Sequence, residues 1–201
     1  YTLQLKKFSS DRVDIYYKLG EIYHNKKEYD QAISSFTKAI NLLKKSTEEN
    51  WYLYYSRGMS YERSKKWENA EKDFLYALKL SPQQPLVLNY LGYTWIDYGI
   101  KLKEAEDYIR KAIKLRPKDG YFIDSLGWAY YRQGKYDLAV VELERAVALI
   151  PNDPIINDHL GDALFRAGYE NEAKYQWNRA LLYEPEKSLR ENIEFKLKKG
   201  L

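Results

Sequence analysis

Catalysis or metal binding would have to come from very few residues. The 201-residue chain has two histidines, His24 and His159, and no cysteine, which rules out disulfides, thiolate metal sites and cysteine nucleophiles together. No H-E-x-x-H, G-x-x-x-x-G-K-[ST] or G-x-G-x-x-G occurs. The run Lys103-Glu104-Ala105-Glu106-Asp107 places its carboxylates on a solvated helix face. Asp124 with Trp128 sets one carboxylate beside one ring, which is not a catalytic set. These residues predict a non-enzyme with no cofactor and no metal. Rings, by contrast, are abundant: 21 Tyr, 5 Trp and 6 Phe, side chains whose large apolar bodies and polar tips suit recognition of another molecule.

The remaining composition is that of a folded chain. It is 45% hydrophobic and 31% charged, with 10 Gly and 6 Pro, too apolar for a disordered segment and too poor in Gly and Pro for a collagenous one. No apolar run approaches 18 residues, so no membrane span is expected. A net charge of +4, spread over the whole length, is too weak to argue for nucleic acid. Starting at Tyr1 rather than Met, the chain is expected to be a piece of a longer protein.

A repeat governs the elements. Gly20, Gly58, Gly92, Gly127 and Gly161 are spaced by 38, 34, 35 and 34 residues. Three residues after each come Tyr23, Tyr61, Trp95, Tyr130 and Leu164. Two Ala rows follow, Ala32, Ala70, Ala105, Ala139 and Ala173, then Ala39, Ala77, Ala112, Ala146 and Ala180. Between them stand Phe36, Phe74, Ile109, Leu143 and Trp177. The Gly and ring rows make one stripe of a 3.6-residue helix, and the Ala and bulky rows make the stripe of a second. Small residues mark where two backbones approach closely, and the bulky ones fill the space beside them. Asn25, Gly99, Gly134 and Gly168 mark the turn between the helices. Pro82, Pro117, Pro151 and Pro185 stop the second helix in four units. Each unit is a helical hairpin that cannot bury its apolar faces alone. At about 10 Å of stacking per unit, His24 and His159 are too far apart to share a metal.

This pattern resembles the tetratricopeptide repeat (TPR) family, most clearly in Ser125-Leu126-Gly127-Trp128-Ala129-Tyr130 with Tyr136, Ala139, Leu143, Ala146 and Pro151. The resemblance implies an all-α solenoid, a right-handed superhelix of five hairpins at 11–46, 51–84, 85–119, 120–153 and 154–187. Residues 1–10 read as the remnant of an upstream repeat helix. Residues 188–201 read as a capping helix, with a Ser188–Glu191 capping box. Its apolar stripe is Leu189, Ile193 and Leu197, with Arg190, Glu194, Lys196, Lys198 and Lys199 off the stripe. Three departures stand out: four extra residues near Lys45–Asn50, one near Tyr98–Leu102, and Asn157 with Leu164 in the fifth unit where bulky aromatics are usual, which implies a terminal position with looser packing. The segment Asn157–Leu181 is similar to the closing repeats of long bacterial members.

In that family the first helices line a concave groove where ligands bind. The resemblance therefore implies a partner-binding lane of Tyr17, Tyr52, Tyr55, Tyr93, Asp124, Trp128, Tyr131, Arg132, Asp158, Asp162, Phe165 and Arg166. The rings with Asp124, Asp158 and Asp162 would favour an extended peptide with apolar side chains and a basic residue, while Arg132 and Arg166 could fix a carboxylate. Positions that grip a chaperone tail in other members hold Asn89 alone with suitable chemistry, so that reading fails. The expected function is a protein–protein interaction scaffold for a peptide or helix. A single-stranded RNA binder, or a groove filled in cis or by a second copy, stands as the alternative. Repeated Asp and Glu in the lane weigh against RNA.

Overall fold

The computed structural model describes residues 2–201, and their side chains from Arg12 onward. Among the described residues the chain is all-α. It comprises α1 (Thr2–Asn25), α2 (Tyr29–Asn41), α3 (Trp51–Arg63), α4 (Trp67–Leu80), α5 (Pro85–Asp97), α6 (Leu102–Leu115), α7 (Gly120–Arg132), α8 (Tyr136–Leu149), α9 (Pro154–Arg166), α10 (Glu170–Leu182) and α11 (Lys187–Lys199). The segment expected as a separate upstream helix enters α1 without a break, since no Gly or Pro interrupts residues 2–19. The chain forms two compact units, residues 1–87 and 88–201. In the first, α1 pairs with α2 and α3 with α4, while α2 also packs on α3. In the second, α7 pairs with α8 and α9 with α10, α6 packs on α7, α8 on α9, and α11 on α10.

The repeating rows meet as their sizes require. All ten residues of the two Ala rows are completely buried. The Gly row faces the bulky row of the following helix within each hairpin. A Cβ on Gly58 would lie 2.6 Å from a ring carbon of Phe74, and Gly20, Gly92, Gly127 and Gly161 stand in the same relation to Phe36, Ile109, Leu143 and Trp177. Phe36, Phe74, Trp95, Tyr130 and Trp177 are sealed in the core, whereas Tyr16, Tyr23 and Tyr61 are half-buried. Hydrophobic burial of these rows, rather than helix propensity, holds elements of only 13–14 residues such as α3 and α4 together.

All five turns use one hydrogen-bond pattern. The second residue past each helix cap donates back to the ring row, as Glu28 does to Tyr23, Lys66 to Tyr61, Ile100 to Trp95, Lys135 to Tyr130 and Tyr169 to Leu164, at 2.9, 2.8, 2.9, 3.0 and 2.9 Å. This is the Schellman arrangement, and it needs a left-handed residue one place earlier. Gly99, Gly134 and Gly168 fill that place in three units, at φ of 68°, 72° and 92°. In the other two the residue is Lys27 (φ 62°) and Lys65 (φ 61°). Asn25, the expected turn residue, instead closes α1, because position in the bond pattern, not residue type, decides which residue turns left-handed. Replacing Lys65 with glycine is therefore expected to stabilise residues 1–87 by about 0.5–1 kcal/mol, read as a rise in urea midpoint; a fall would contradict the strain.

The insertions are absorbed locally. The extra residue of the third unit becomes Lys101, a second left-handed residue (φ 48°) just before α6. The four at the first junction form a loop and a short 3-10 turn, Glu48–Asn50, in which the Asn50 side chain accepts from the Thr47 backbone and hydroxyl at 2.9 and 3.0 Å. The Ser188–Glu191 box does not form. Helix α11 starts one residue before Ser188 with Glu186 at its cap, and no side chain caps its first turn.

Candidate functional site

Within residues 1–87, the first-helix face of α1 and α3 carries a connected set of rings. Tyr17 meets Tyr52 edge-on at 4.8 Å and tilts over Phe36 at 5.8 Å. Trp51 touches both Tyr52 and Tyr55, and Tyr55 lies 6.1 Å from Phe74. Tyr17, Tyr52 and Tyr55 are thus half-buried, one side packed and one side open. Burial pushes the Tyr55 hydroxyl up to about 12, so it stays a neutral donor. His24 joins α1 to α3 through Ser60 at 2.9 Å; that hydroxyl donates to the Ser56 carbonyl and so accepts from the ring. Behind the rings Asp73 grips Arg57 through two bonds of 2.7 and 2.8 Å, which locks α3 on α4. An open cleft of about 480 Å³ lies at the insertion, lined by Thr47, Glu48, Glu49, Trp51, Ser81 and Gln84. Only the extra four residues hinted at it in the sequence.

Within residues 88–201 the predicted lane separates into two layers. The outer layer is a ring stack: Trp128 lies nearly parallel to Tyr131 at 4.7 Å and to His159 at 4.1 Å. Its indole N–H donates to Asp97 at 3.1 Å, and Arg132 donates to the Asp97 carbonyl at 3.3 Å. Trp128 and Tyr131 are half-exposed, while Arg132 and Arg166 stand in solvent. Tyr93 is half-buried on α5, and Phe165 tilts over Trp177 at 5.6 Å.

The inner layer is charged and closed. Asp124, Asp158 and Asp162 are only 6%, 5% and 5% exposed. The sequence predicts that they meet a basic residue of a partner, but the chain fills them itself. Lys196 of α11 donates to both oxygens of Asp158 at 2.9 Å and to those of Asp162 at 2.7 and 2.8 Å. Asp162 also accepts from the Trp177 indole at 2.9 Å, and Asp124 from His159 Nδ1–H at 2.9 Å. Lys196 is expected off the apolar stripe because a lone buried ammonium is costly; two desolvated carboxylates reverse that cost. A signal was present, since Leu189 and Lys196 are seven residues apart and so share a helix face.

Two shifts in this layer give a pH dependence. Burial alone would push His159 down, but the Asp124 carboxylate against it, with Asp158 and Asp162 beyond, holds it above its ordinary 6.5. Burial and the neighbouring Asp162 charge raise Asp158 despite the pull of Lys196. A raised histidine contributes stability that is fully present below 6.5 and is lost as pH climbs through the folded value, and a raised carboxyl acts in the same direction at lower pH. The stability of residues 88–201 is therefore expected to fall from pH 6 to pH 8, by at most about 1.4 kcal/mol per pH unit for one group, which is read as a falling urea midpoint. The His159→Gln variant should flatten that slope; a midpoint that rises with pH in wild type would contradict the assignment.

Known proteins share this architecture. The TPR repeat pattern matches residues 127–168, and the tetratricopeptide repeat pattern matches 13–42, 51–84 and 101–119, together more than half of the chain. The chain belongs to the tetratricopeptide repeat family. A TPR repeat-containing protein of Pseudomonas aeruginosa is 47% identical over 55 residues, a stretch that is 27% of this chain and 9% of that relative. Among solved structures, PilW, described as a widely conserved type IV pilus biogenesis factor, superposes with a TM-score of 0.81 at 22% identity, covering 94% of this chain and 85% of its own. A thermophilic TPR protein in Thermus thermophilus superposes at 0.78 and 19% identity, over 92% and 99%. At such identities these structures show the fold, an all-α solenoid. Among the described residues no helix is long and apolar enough to cross a membrane, and no three His, Cys, Asp or Glu side chains are grouped to hold a metal ion.

Proposed function

We propose that the chain is a protein–protein interaction scaffold and not an enzyme, and that it receives a peptide or helix of a partner on the ring-bearing faces of its first helices. The observation that carries this reading is the half-open Tyr131–Trp128 pair, stacked on His159 and bordered by the exposed Arg132 and Arg166. Hairpin packing needs the Gly, Ala and bulky rows; it does not need this pair. Stacked rings held in one rotamer bind with little further loss of entropy. With Asp124, Asp158 and Asp162 engaged internally, the exposed charges bordering the ring stack are Asp97, which already accepts from Trp128 and pairs with Arg132, and Arg166; Arg166 suits an apolar segment carrying a carboxylate.

The test is affinity capture from a source lysate with wild type and a Trp128→Ala/Tyr131→Ala double variant side by side. Loss of two central rings is expected to weaken capture by more than about tenfold while helical content stays unchanged. Equal capture by a folded double variant removes these rings from the binding surface.

A further inference from the structure

Helices α7 and α9 hold equivalent places in successive hairpins and touch each other, so their outer faces form one surface. The ring stack takes up only one end of it. At the other end, in the first turns, Tyr121 and Ile155 are 56% and 50% exposed, large apolar side chains that the hairpins do not seal. Each lies six residues before its repeat glycine, Gly127 or Gly161. The Tyr121 hydroxyl bonds to Asp153, the cap of α9, which steadies the ring. Trp128 follows Tyr121 by seven residues and so shares its face. Between these levels lie Asp124 and Asp158, both buried and already bonded, so neither is offered to a partner. Arg166, one turn beyond the Trp128 level, is exposed beside the Tyr131 hydroxyl. The carboxylate one turn below it, Asp162, is held by Lys196.

Measured from the Tyr121 level, the ring stack stands about 10.5 Å along the helix axis and Arg166 about 16.5 Å along. A strand anchored at Tyr121 misses the ring stack: it rises about 3.3 Å per residue with alternate side chains turned away, so its same-face contacts fall near 6.6 and 13.2 Å. A helix matches every level, because it has the same rise as α7 and α9. We propose that this face receives an amphipathic helix of a partner protein, antiparallel to α7 and α9, with an acidic residue at i and apolar residues at i+4 and i+11. The acid meets Arg166, the i+4 side chain meets the Trp128–Tyr131 stack, and the i+11 side chain meets Tyr121 and Ile155. All three lie on one stripe of the incoming helix. The antiparallel sense sets its positive N-terminal end, where an acidic residue is itself favoured, against the negative C-terminal ends of α7 and α9. This rests on the scaffold reading and deepens it by fixing the partner's conformation and residue spacing.

The experiment reads the fluorescence anisotropy of labelled synthetic peptides of about 20 residues titrated with the full chain. The first probe is an alanine–glutamine helix with Glu at i and Leu at i+4 and i+11. In the second the distal Leu moves to i+13, which turns it to the opposite side; in the third a central proline breaks the helix. The first is expected to bind wild type at least about tenfold more tightly than either of the others, a comparison that needs no variant to fold. A Tyr121→Ala/Ile155→Ala chain, changed only at exposed positions, is expected to bind the first probe no better than the second, and Arg166→Gln is expected to weaken the first about threefold. Equal binding of the three probes, no binding of the first, or undiminished binding by either folded variant overturns the proposal. The two readings fail separately. Lysate capture that depends on Trp128 and Tyr131 while the probes bind equally removes the helix and keeps the scaffold. Equal lysate capture by the Trp128→Ala/Tyr131→Ala chain removes the ring stack and, with it, the i+4 contact.

Discussion

Replacing Lys196 with alanine lowers the stability of residues 88–201 by about 3–5 kcal/mol, a loss far larger than a surface lysine would give. Asp158 and Asp162 are sealed from water, and the ammonium supplies four short contacts to their oxygens. Without it two like charges one helical turn apart remain desolvated and unpaired. In urea, with a slope of about 1–3 kcal/mol/M, the midpoint falls by a molar unit or more. Neutralising the acids at the same time, as in an Asp158→Asn/Asp162→Asn/Lys196→Met triple variant, should restore most of the loss, because the cost lies in uncompensated charge and not in missing bulk. The sign with pH follows from Asp158, which burial and Asp162 already raise. In the alanine variant a proton can stand in for the lysine, so the difference from wild type narrows as pH falls. A loss below about 1 kcal/mol would mean that the pair is open to water.

The second large effect is expected at Trp177. Its side chain is completely buried, lies against Gly161 and donates to Asp162. Alanine there removes the largest side chain of the α9–α10 interface, which costs about 3–5 kcal/mol as transfer and cavity terms combined, and also leaves Asp162 with one donor fewer. A Trp177→Phe variant separates the two contributions: the ring is largely kept, the indole N–H is lost, and about 2 kcal/mol should go with a bond to a charged acceptor. Far-UV circular dichroism during urea unfolding is the appropriate measurement, since the mutation itself changes fluorescence. If alanine and phenylalanine cost the same, packing against Gly161 contributes little.

These two effects lie at opposite ends of what the residues alone disclose. Trp177 is legible in the sequence: it fills the row held elsewhere by Phe36, Phe74, Ile109 and Leu143, sixteen or seventeen residues after a glycine that must admit it. The same holds for the Ala rows and the hairpins, since each row recurs five times at a spacing that only a close helix–helix contact explains. The ring-bearing face is legible in part. Tyr17, Tyr52, Tyr55, Trp128 and Tyr131 stand out in the sequence because packing does not require them, and they are half-exposed rings in the structure. The roles of Asp124, Asp158 and Asp162 are not legible: helical spacing assigns a side chain to a face but says nothing about what covers that face.

Amino-acid order by itself thus determined the repeating hairpins, their small-against-large contacts and the ring-rich first helices, because these depend on neighbours within one or two turns or one hairpin. Tertiary structure alone decided which charges are buried and with what partner, and that Lys27 and Lys65 turn left-handed like the glycines of the other units. The reason is that desolvation is a property of the assembled neighbourhood. Asp124 comes from α7, Asp158, His159 and Asp162 from α9, Trp177 from α10 and Lys196 from α11, and the cost of each charge is cancelled only when all of them meet.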